Sequence, residues 1–329
     1  MSSLSSIALN ISSKNLMLRS KLKEKFLGSL LGAAIGDALG ASREGSRMGE
    51  KGASFGSLGM LRYTDDTHMT IGVAESLIEC RGFDGAHMAR RFADNYFREP
   101  WRGYGPGPPR IFRMIKGGEA WDKAALSIYP GGSFGNGAAM RVAPIGLLFF
   151  KDHLKLKEVA YKASLITHAH PLGIEGAILQ ALAVALATAW EWDEPLDRLS
   201  FTSCLLSFVS EDIYRTKLAK FEVLFERSSY RREVVQELGC GVEAFSSVPT
   251  AIFTFLTHSQ DFASAISYAI SLGGDTDTIA SMTGAICGAY LGIEYIPEEW
   301  QMKLENREYI LSLAERLYEL EAQEGGEDG

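Results

Sequence analysis

The chain has 329 residues, 46% of them apolar and 22% charged, with a formal net charge of −8. Such a length allows one large domain or two small ones around a substantial core, and the charged fraction is that of a soluble protein. The acidic balance excludes a global electrostatic footprint for nucleic acid. Cys80, Cys204, Cys240 and Cys287 form no CxxC pair, which argues against structural zinc and for reduced thiols in an intracellular, cytoplasmic setting.

The first 23 residues hold no Asp or Glu, several serines, and Lys14, Arg19, Lys21 and Lys23. Residues 1–20 read either as a disordered tail or as an organelle-targeting segment. From Leu22 to Leu39 the spacing predicts a helix with Phe26, Leu30, Ala33 and Ala34 on one face. Gly28, Gly32 and Gly36 permit close helix contact, and Gly40 ends the helix. Glu44 follows in a glycine- and serine-rich loop that runs to about Gly59, and on its own reads as a solvated loop acid.

Thr64-Asp65-Asp66-Thr67 then precedes a predicted helix from His68 to Ile78, where Met69, Val73 and Leu77 recur at helical spacing. A helix over Asp84 to Phe97 is interrupted by the loop Arg102 to Pro109, which contains Gly103, Tyr104 and Gly105. A second glycine-rich loop, Gly131 to Gly137, contains Ser133, Phe134, Gly135 and Asn136 and leads into a predicted helix from Ala138 to Phe150. Such a loop at a helix start reads as a phosphate cradle or simply as a connection. It is no P-loop, because no Gly-Lys-Ser/Thr follows.

Beyond a helix over Lys155 to Ile166, His168 and His170 read as a metal pair or, with no further His or Cys nearby, as polar contacts at a helix junction. No run of about 18 strongly apolar residues suggests a membrane span. Gly176 to Trp190, bounded by Glu175 and Glu191, reads as a buried core helix. Further helices are expected over Pro195 to Phe208, Ile213 to Arg227, Arg231 to Leu238, a segment opened by Val248-Pro249, Asp261 to Ser271, Ile279 to Leu291 and Glu305 to Glu321. Strand signals are nearly absent. The chain is therefore predicted all-α, a single compact orthogonal domain of about 12 to 15 helices over residues 21–322, with 323–329 a disordered tail.

Gly273-Gly274-Asp275-Thr276-Asp277-Thr278 has the same design as the Thr64 stretch, with hydroxyl and carboxylate oxygens at a helix start. In an uninterrupted helix Asp275 and Asp277 would point to different sides, so both converge only around a non-helical cap, which the glycine pair permits. Taken alone, this is an N-cap with an extra surface acid. Taken together, the two stretches offer four carboxylates, whose crowding without cations costs several kcal/mol or forces protonation, roughly. Two divalent ions would balance the charge, and oxygen-only ligands favour Mg²⁺, Mn²⁺ or Ca²⁺ over Zn²⁺.

These stretches carry a resemblance. Gly28 to Gly40 (GSLLGAAIGDALG), Tyr63 to Met69 (YTDDTHM), Gly135 to Gly146 (GNGAAMRVAPIG), Thr167-His168-Ala169 and Leu272 to Ala280 (LGGDTDTIA) resemble the ADP-ribosylglycohydrolases over essentially the whole domain. Glu44, Arg102 to Gly105, Gly132 to Gly137, Ala177 to Val184 and Ser247 to Ile252 are most similar to the type-three branch, which hydrolyses serine-linked ADP-ribose. Tyrosine stands in that branch where this chain has Phe134, and the connection from Glu44 to Thr64 is short.

The resemblance implies a binuclear Mg²⁺ site on Thr64, Asp65, Asp66, Asp275, Asp277 and Thr278, with Mn²⁺ as a substitute. It makes Glu44 a mobile, catalytic carboxylate beside the metals that serves as base or proton shuttle, and gives Asp275 a part in tuning metal and water geometry. ADP-ribose would place its distal ribose on the metals, with Gly103, Tyr104 and Gly105 among the binding residues on the leaving-group side. Its diphosphate would lie on Ser133, Gly135, Asn136 and Gly137, its adenine near Phe134 and Ile252, and His168 would line the pocket. The implied partners are ADP-ribosylated proteins or small molecules containing ADP-ribose, with no nucleic acid or membrane required and the protein a monomer. Arginine-linked ADP-ribose, and a non-catalytic member of the fold, stand as the alternatives.

Overall fold

The computed structural model describes residues 2–45, 59–191, 194–227 and 231–324. The loop expected between Glu44 and Gly59 and the end of the expected tail fall largely outside them. Among the described residues no strand forms, and two isolated bridges, Leu61 with Leu304 and Gly135 with Glu243, are the extended pairings.

The α-helices are α1 (Ser2–Ala41), α2 (Asp65–Cys80), α3 (Gly85–Arg98), α4 (Pro108–Lys116), α5 (Ala124–Ile128) and, after a 3-10 turn over Asn136–Arg141, α6 (Ala143–Leu148). There follow α7 (His153–Leu165), α8 (Pro171–Ala189), α9 (Arg198–Phe208), α10 (Asp212–Ala219), α11 (Phe221–Phe225) and α12 (Arg231–Leu238). The chain continues with α13 (Ala244–His258), α14 (Phe262–Ser271), α15 (Thr276–Leu291), a 3-10 turn (Ile293–Tyr295), α16 (Glu298–Lys303) and α17 (Arg307–Glu324).

The fold is all-α as expected, but the helices among the described residues exceed the predicted number, because α4 and α5 form where none was predicted and two predicted ones divide. The segment from Ala138 becomes a 3-10 turn and then α6, with Pro144 in the first turn of α6 where its missing N–H costs no helical bond. The segment from Ile213 breaks at Lys220 into α10 and α11. Two starts also differ. The α1 backbone is helical from Ser2, and the expected start near Leu22 lies instead inside the helix, where, among the described side chains, Lys25 and Phe26 are the first that are buried.

The second difference is α13, which begins at Ala244 and so encloses Pro249. A proline there leaves the carbonyl of Phe245, four residues back, without its helical donor. The Lys217 ammonium donates to that carbonyl at 2.7 Å, and to Leu238 O at 2.6 Å. A side chain from α10 thus replaces the missing N–H.

The most extensive helix pair is α1 against α15. Glycines at every fourth position of α1 lie on one stripe. Gly28 meets Gly288, Gly32 meets Gly284, Gly36 meets Ala280 and Gly40 meets Thr276, so the helices run antiparallel. A Cβ at Gly36 would lie 2.1 Å from the carbonyl oxygen of Ala280, closer than real carbon atoms approach. Absence of side chains here brings the backbones together, and Thr276 Oγ1 donates to Gly40 O at 2.9 Å to close the seam. The C-terminal end of α1 is thereby held against the N-terminal end of α15.

Helix α8 is long and apolar enough to cross a membrane by length and composition, but 83% of its apolar window is buried inside the protein. Its last carbonyls are capped by Lys25 of α1, whose ammonium donates to Ala187 O, Thr188 O and Trp190 O.

Candidate metal centre

Because the α1–α15 seam aligns the two helix ends, Asp37 in the last turns of α1 arrives beside the start of α2. Asp37 is fully buried and accepts four hydrogen bonds: from Thr64 N, Thr64 Oγ1, Thr67 N and Thr67 Oγ1, at 2.6 to 3.0 Å. Burial nevertheless pushes its carboxyl up to about 6, against the lowering effect of these donors. Thr64 is the N-cap of α2, accepting from Asp66 N, and spends its hydroxyl hydrogen on Asp37. Its oxygen consequently keeps lone-pair character toward the cleft. Asp37 was not among the sequence candidates. A lone acid inside the otherwise apolar and glycine-rich Gly28 to Gly40 helix was the signal that could have found it.

On the other side, Asp275 is the N-cap of α15 with a non-helical backbone, and Gly273 and Gly274 before it have φ of +75°. The Gly274 position has no room for a Cβ, which would lie 2.0 Å from Cys240 O. The same carbonyl accepts from Asp275 N at 2.9 Å. This cap is what lets Asp275 and Asp277 converge. Gly45 N donates to Gly274 O at 2.8 Å and so returns the chain beyond α1 to the same turn. One carboxylate oxygen from each of Glu44, Asp275 and Asp277 falls within a 4.8 Å cluster. Glu44 is exposed and the two aspartates are buried.

The two acidic stretches share one cleft of about 310 Å³. Its lining includes Glu44, Thr64, Asp65, Asp66, Asp275, Asp277 and Thr278, together with Ser133, Gly135, Asn136, Gly137 and His168. Gly103 and Gly105 form part of the wall. Arg102 fixes that wall: its guanidinium pairs with Glu99 and Glu305, donates to Tyr63 O at 3.0 Å and lies 4.1 Å over the Tyr63 ring.

Three other candidates sit elsewhere. Ile252 is fully buried within α13 and does not line the cleft. Tyr104 turns its hydroxyl to His68 Nδ1 at 2.9 Å, packing behind the wall against Tyr96 and Phe112. Phe134 is 46% exposed and packs with Phe245 and His170 rather than lining the cleft. His168 and His170 divide roles, since His170 caps α8 by accepting from Leu172 N at 3.1 Å. Tyr129 and Val242 also line the cleft and carried no motif in the sequence, while Met69 and Met140, which line it too, lie within the quoted stretches but were not singled out as site residues.

The electrostatics test whether this acid set fits a cation. Burial drives Asp65 up to about 7, with further upward pressure from Asp37, Asp275 and Glu44. Asp277 rises to about 8 through burial and the charges of Asp275, Asp37 and Glu44. Burial likewise raises Asp66 strongly and Asp275 in spite of its hydrogen bond from Asn136. Asp66 Oδ2 is buried without a hydrogen-bond partner among the described residues. A carboxylate group so crowded, with an orphaned oxygen and only oxygen donors, fits a hard divalent cation. The residues of this cleft that could hold such an ion are Thr64, Asp65, Asp66, Asp275, Asp277 and Thr278.

Fold and cleft define an all-helical protein with an acidic, cation-compatible centre next to a glycine loop. Comparison with known proteins agrees with that class. The ADP-ribosylglycohydrolase family profile matches residues 18–327. The ADP-ribosylhydrolase ARH3 of Homo sapiens is 40% identical over 286 residues, 78% of each chain. That of Danio rerio is 38% identical over 294 residues, 80% of this chain and 78% of its own. A solved ADP-ribosylglycohydrolase-related protein complex superposes with a TM-score of 0.68 at 26% identity, covering 92% of this chain and 99% of that one. The chain belongs to the ADP-ribosylglycohydrolase family, and is a hydrolase of ADP-ribosyl glycosidic bonds.

Proposed function

We propose that this enzyme is Mg²⁺-dependent and releases ADP-ribose from serine-linked ADP-ribosylated proteins. Poly(ADP-ribose) and O-acetyl-ADP-ribose are further substrates that it would accept through the same anomeric carbon. The observation that carries the reading is the sharing of one cleft by Glu44, the two acidic stretches and the Ser133–Gly137 loop, in a chain with 40% identity to an ADP-ribosylhydrolase.

In this reading Thr64, Asp65, Asp66, Asp275, Asp277 and Thr278 would hold two Mg²⁺ ions, which would offset the negative charge of the acids and supply Lewis-acid affinity for the ribose diol. The protein's own groups then act around the anomeric carbon. The bond from that carbon to the serine oxygen breaks, leaving oxocarbenium character that the fixed carboxylates stabilise. Water adds to the carbon, Glu44 takes its proton, and that proton is returned to the departing serine oxygen. Asn136, which donates to both Asp275 and Ser247 Oγ, holds Asp275 in one orientation. It thereby links the glycine loop to the acid centre. Backbone groups of the loop and the edge of His168 face the diphosphate.

ADP-ribose release from matched serine-modified and arginine-modified peptides, with Mg²⁺ and with a chelator, tests the reading. Metal-dependent release from serine alone is expected. Release from arginine alone would move the chain to that branch of the family, and equal release in chelator would remove the metal from the reaction. Glu44→Gln is expected to lower kcat by about 10²–10⁴ with little change in ADP-ribose affinity; undiminished turnover would take Glu44 out of the mechanism.

A further inference from the structure

His168 sits at the edge of the cleft with 9% of its surface exposed, and its ring lies against the glycine loop. A Cβ at Gly137 would lie 2.9 Å from His168 Nε2, and one at Gly135 would lie 3.3 Å from it. Nε2 has no hydrogen-bond partner among the described residues, whereas Nδ1 is 2.7 Å from Thr167 Oγ1. What Nε2 offers a ligand depends on which nitrogen carries the proton.

The hydroxyl of Thr167 decides this, and a buried arginine decides the hydroxyl. Arg141 is fully buried, and its Nη1 donates to Thr167 Oγ1 at 2.7 Å and to Gly137 O at 2.9 Å. Its Nη2 donates to Ala163 O at 3.0 Å, and the guanidinium lies 4.8 Å over the Phe92 ring. A guanidinium only donates, so Thr167 Oγ1 accepts from it. Thr167 is 1% exposed, and among the described residues the acceptor within reach of its hydroxyl hydrogen is His168 Nδ1. A buried hydroxyl hydrogen left without an acceptor is costly, which sets the direction of this bond. Nδ1 accepts, and Nε2 carries the hydrogen.

We infer that Arg141 is a positioning residue which, through Thr167, locks His168 as a neutral Nε2–H donor aimed into the cleft, and that the same guanidinium fixes the glycine loop at Gly137. One buried cation thereby sets both walls of the site for a ligand rich in acceptor oxygens, such as a diphosphate or a sugar. The opposite tautomer would turn a lone pair toward those oxygens and repel them. Burial and the Arg141 charge both hold His168 well below the usual histidine range, at about 3, so the ring stays neutral. Arg141 itself is pulled by burial to about 9 and remains protonated at neutral pH. The inference deepens the ADP-ribose reading and rests on it for the ligand, though not for the position of the proton.

Long-range ¹H–¹⁵N correlation spectra of the whole ligand-free protein, with His168 assigned through His168→Gln, read the tautomer directly. A protonated Nε2 and bare Nδ1, unchanged between about pH 5 and 8, is expected. Thr167→Val keeps the side-chain shape and removes the hydroxyl. It should mix or reverse the tautomer and weaken ADP-ribose binding by about tenfold, while Thr167→Ser restores both. A protonated Nδ1 in the parent protein would overturn the lock, even if Thr167→Val fails to fold. An unchanged tautomer in Thr167→Val would overturn it as well. A parent protein with the expected tautomer that does not bind ADP-ribose would sustain the lock and refute the ligand instead.

Discussion

Thr67 Oγ1 donates to Asp37 Oδ2 at 2.6 Å, tying the first turn of α2 to a carboxylate buried in α1. With the three bonds from Thr64 N, Thr64 Oγ1 and Thr67 N, this contact leaves Asp37 no spare geometry for a donor of its own. Asp37→Asn would direct an amide N–H₂ at groups that already donate. An expected outcome is a loss of about 1–3 kcal/mol in stability, together with a 10–100-fold fall in Mg²⁺ affinity as Thr64 and Asp66 lose their orientation. Denaturant titration and metal titration measure the two separately. Unaltered Mg²⁺ affinity in a folded Asp37→Asn protein would show that Asp37 has no part in arranging the site.

A pH series follows from the acid cluster. Asp65 and Asp277, raised to about 7 and about 8, bind protons in the metal-free folded state that the unfolded chain has already released. Their favourable contribution is complete below the ordinary aspartate range near pH 4 and is lost as pH rises through 7 to 8. Metal-free protein should therefore lose stability across that window, and saturating Mg²⁺ should restore it by about 2.7 kcal/mol at a hundredfold excess over Kd. Asp277→Asn is expected to flatten the metal-free slope and shrink the Mg²⁺ response. Thermal melts in chelator that rise in Tm over the same window would contradict the crowding of these acids.

Gly36→Ala tests the helix seam. The added carbon would meet the Ala280 carbonyl, a backbone atom that moves only if α1 and α15 separate. A loss of about 1–3 kcal/mol or more is expected, with activity reduced beyond what the loss of folded protein explains, because separation shifts Asp37 away from Thr64 and Thr67. Urea unfolding beside activity per folded molecule checks both parts. A variant with parent stability would show that the close approach carries no constraint.

Lys217→Met would remove the donor that serves the Phe245 carbonyl left free by Pro249, and also the bond to Leu238 O. The expected cost is about 1–3 kcal/mol. Replacing Pro249 by Ala in the same protein should recover part of it, because the helix then supplies its own N–H. Burial depresses the Lys217 ammonium from its ordinary value, so the charge penalty that Lys217→Met removes offsets part of this cost. A double-mutant cycle by denaturant unfolding decides; strictly additive effects would mean that the two residues do not compensate each other.

Several of these features were legible before any coordinate. The glycine stripe from Gly28 to Gly40 announced a close helix contact, and the two hydroxyl-carboxylate stretches announced helix starts with free oxygens. Helix limits at Arg231–Leu238 and near Gly85–Arg98 and Phe262–Ser271 followed from periodicity and capping residues. Interruptions were less legible. Pro249 looked like a helix opening because local rules do not show that a lysine more than thirty positions away supplies the missing donor. Ile252 was assigned to a ligand by motif, yet its side chain points into the core.

By itself the sequence determined the chemistry available: an all-helical chain, oxygen donors in two matched sets, a glycine loop and a histidine beside a threonine. Each of these is local, set by residue type and by spacing within one or two turns. Tertiary structure decided the rest. It brought the end of α1 against the start of α15, so that Asp37 could hold Thr64 and Thr67 while Asp275 and Asp277 faced Asp65 and Asp66. It also buried Arg141 where one cation reaches both Gly137 and Thr167. These relations join residues distant in the chain through backbone contact and burial, quantities that no local pattern of side chains encodes.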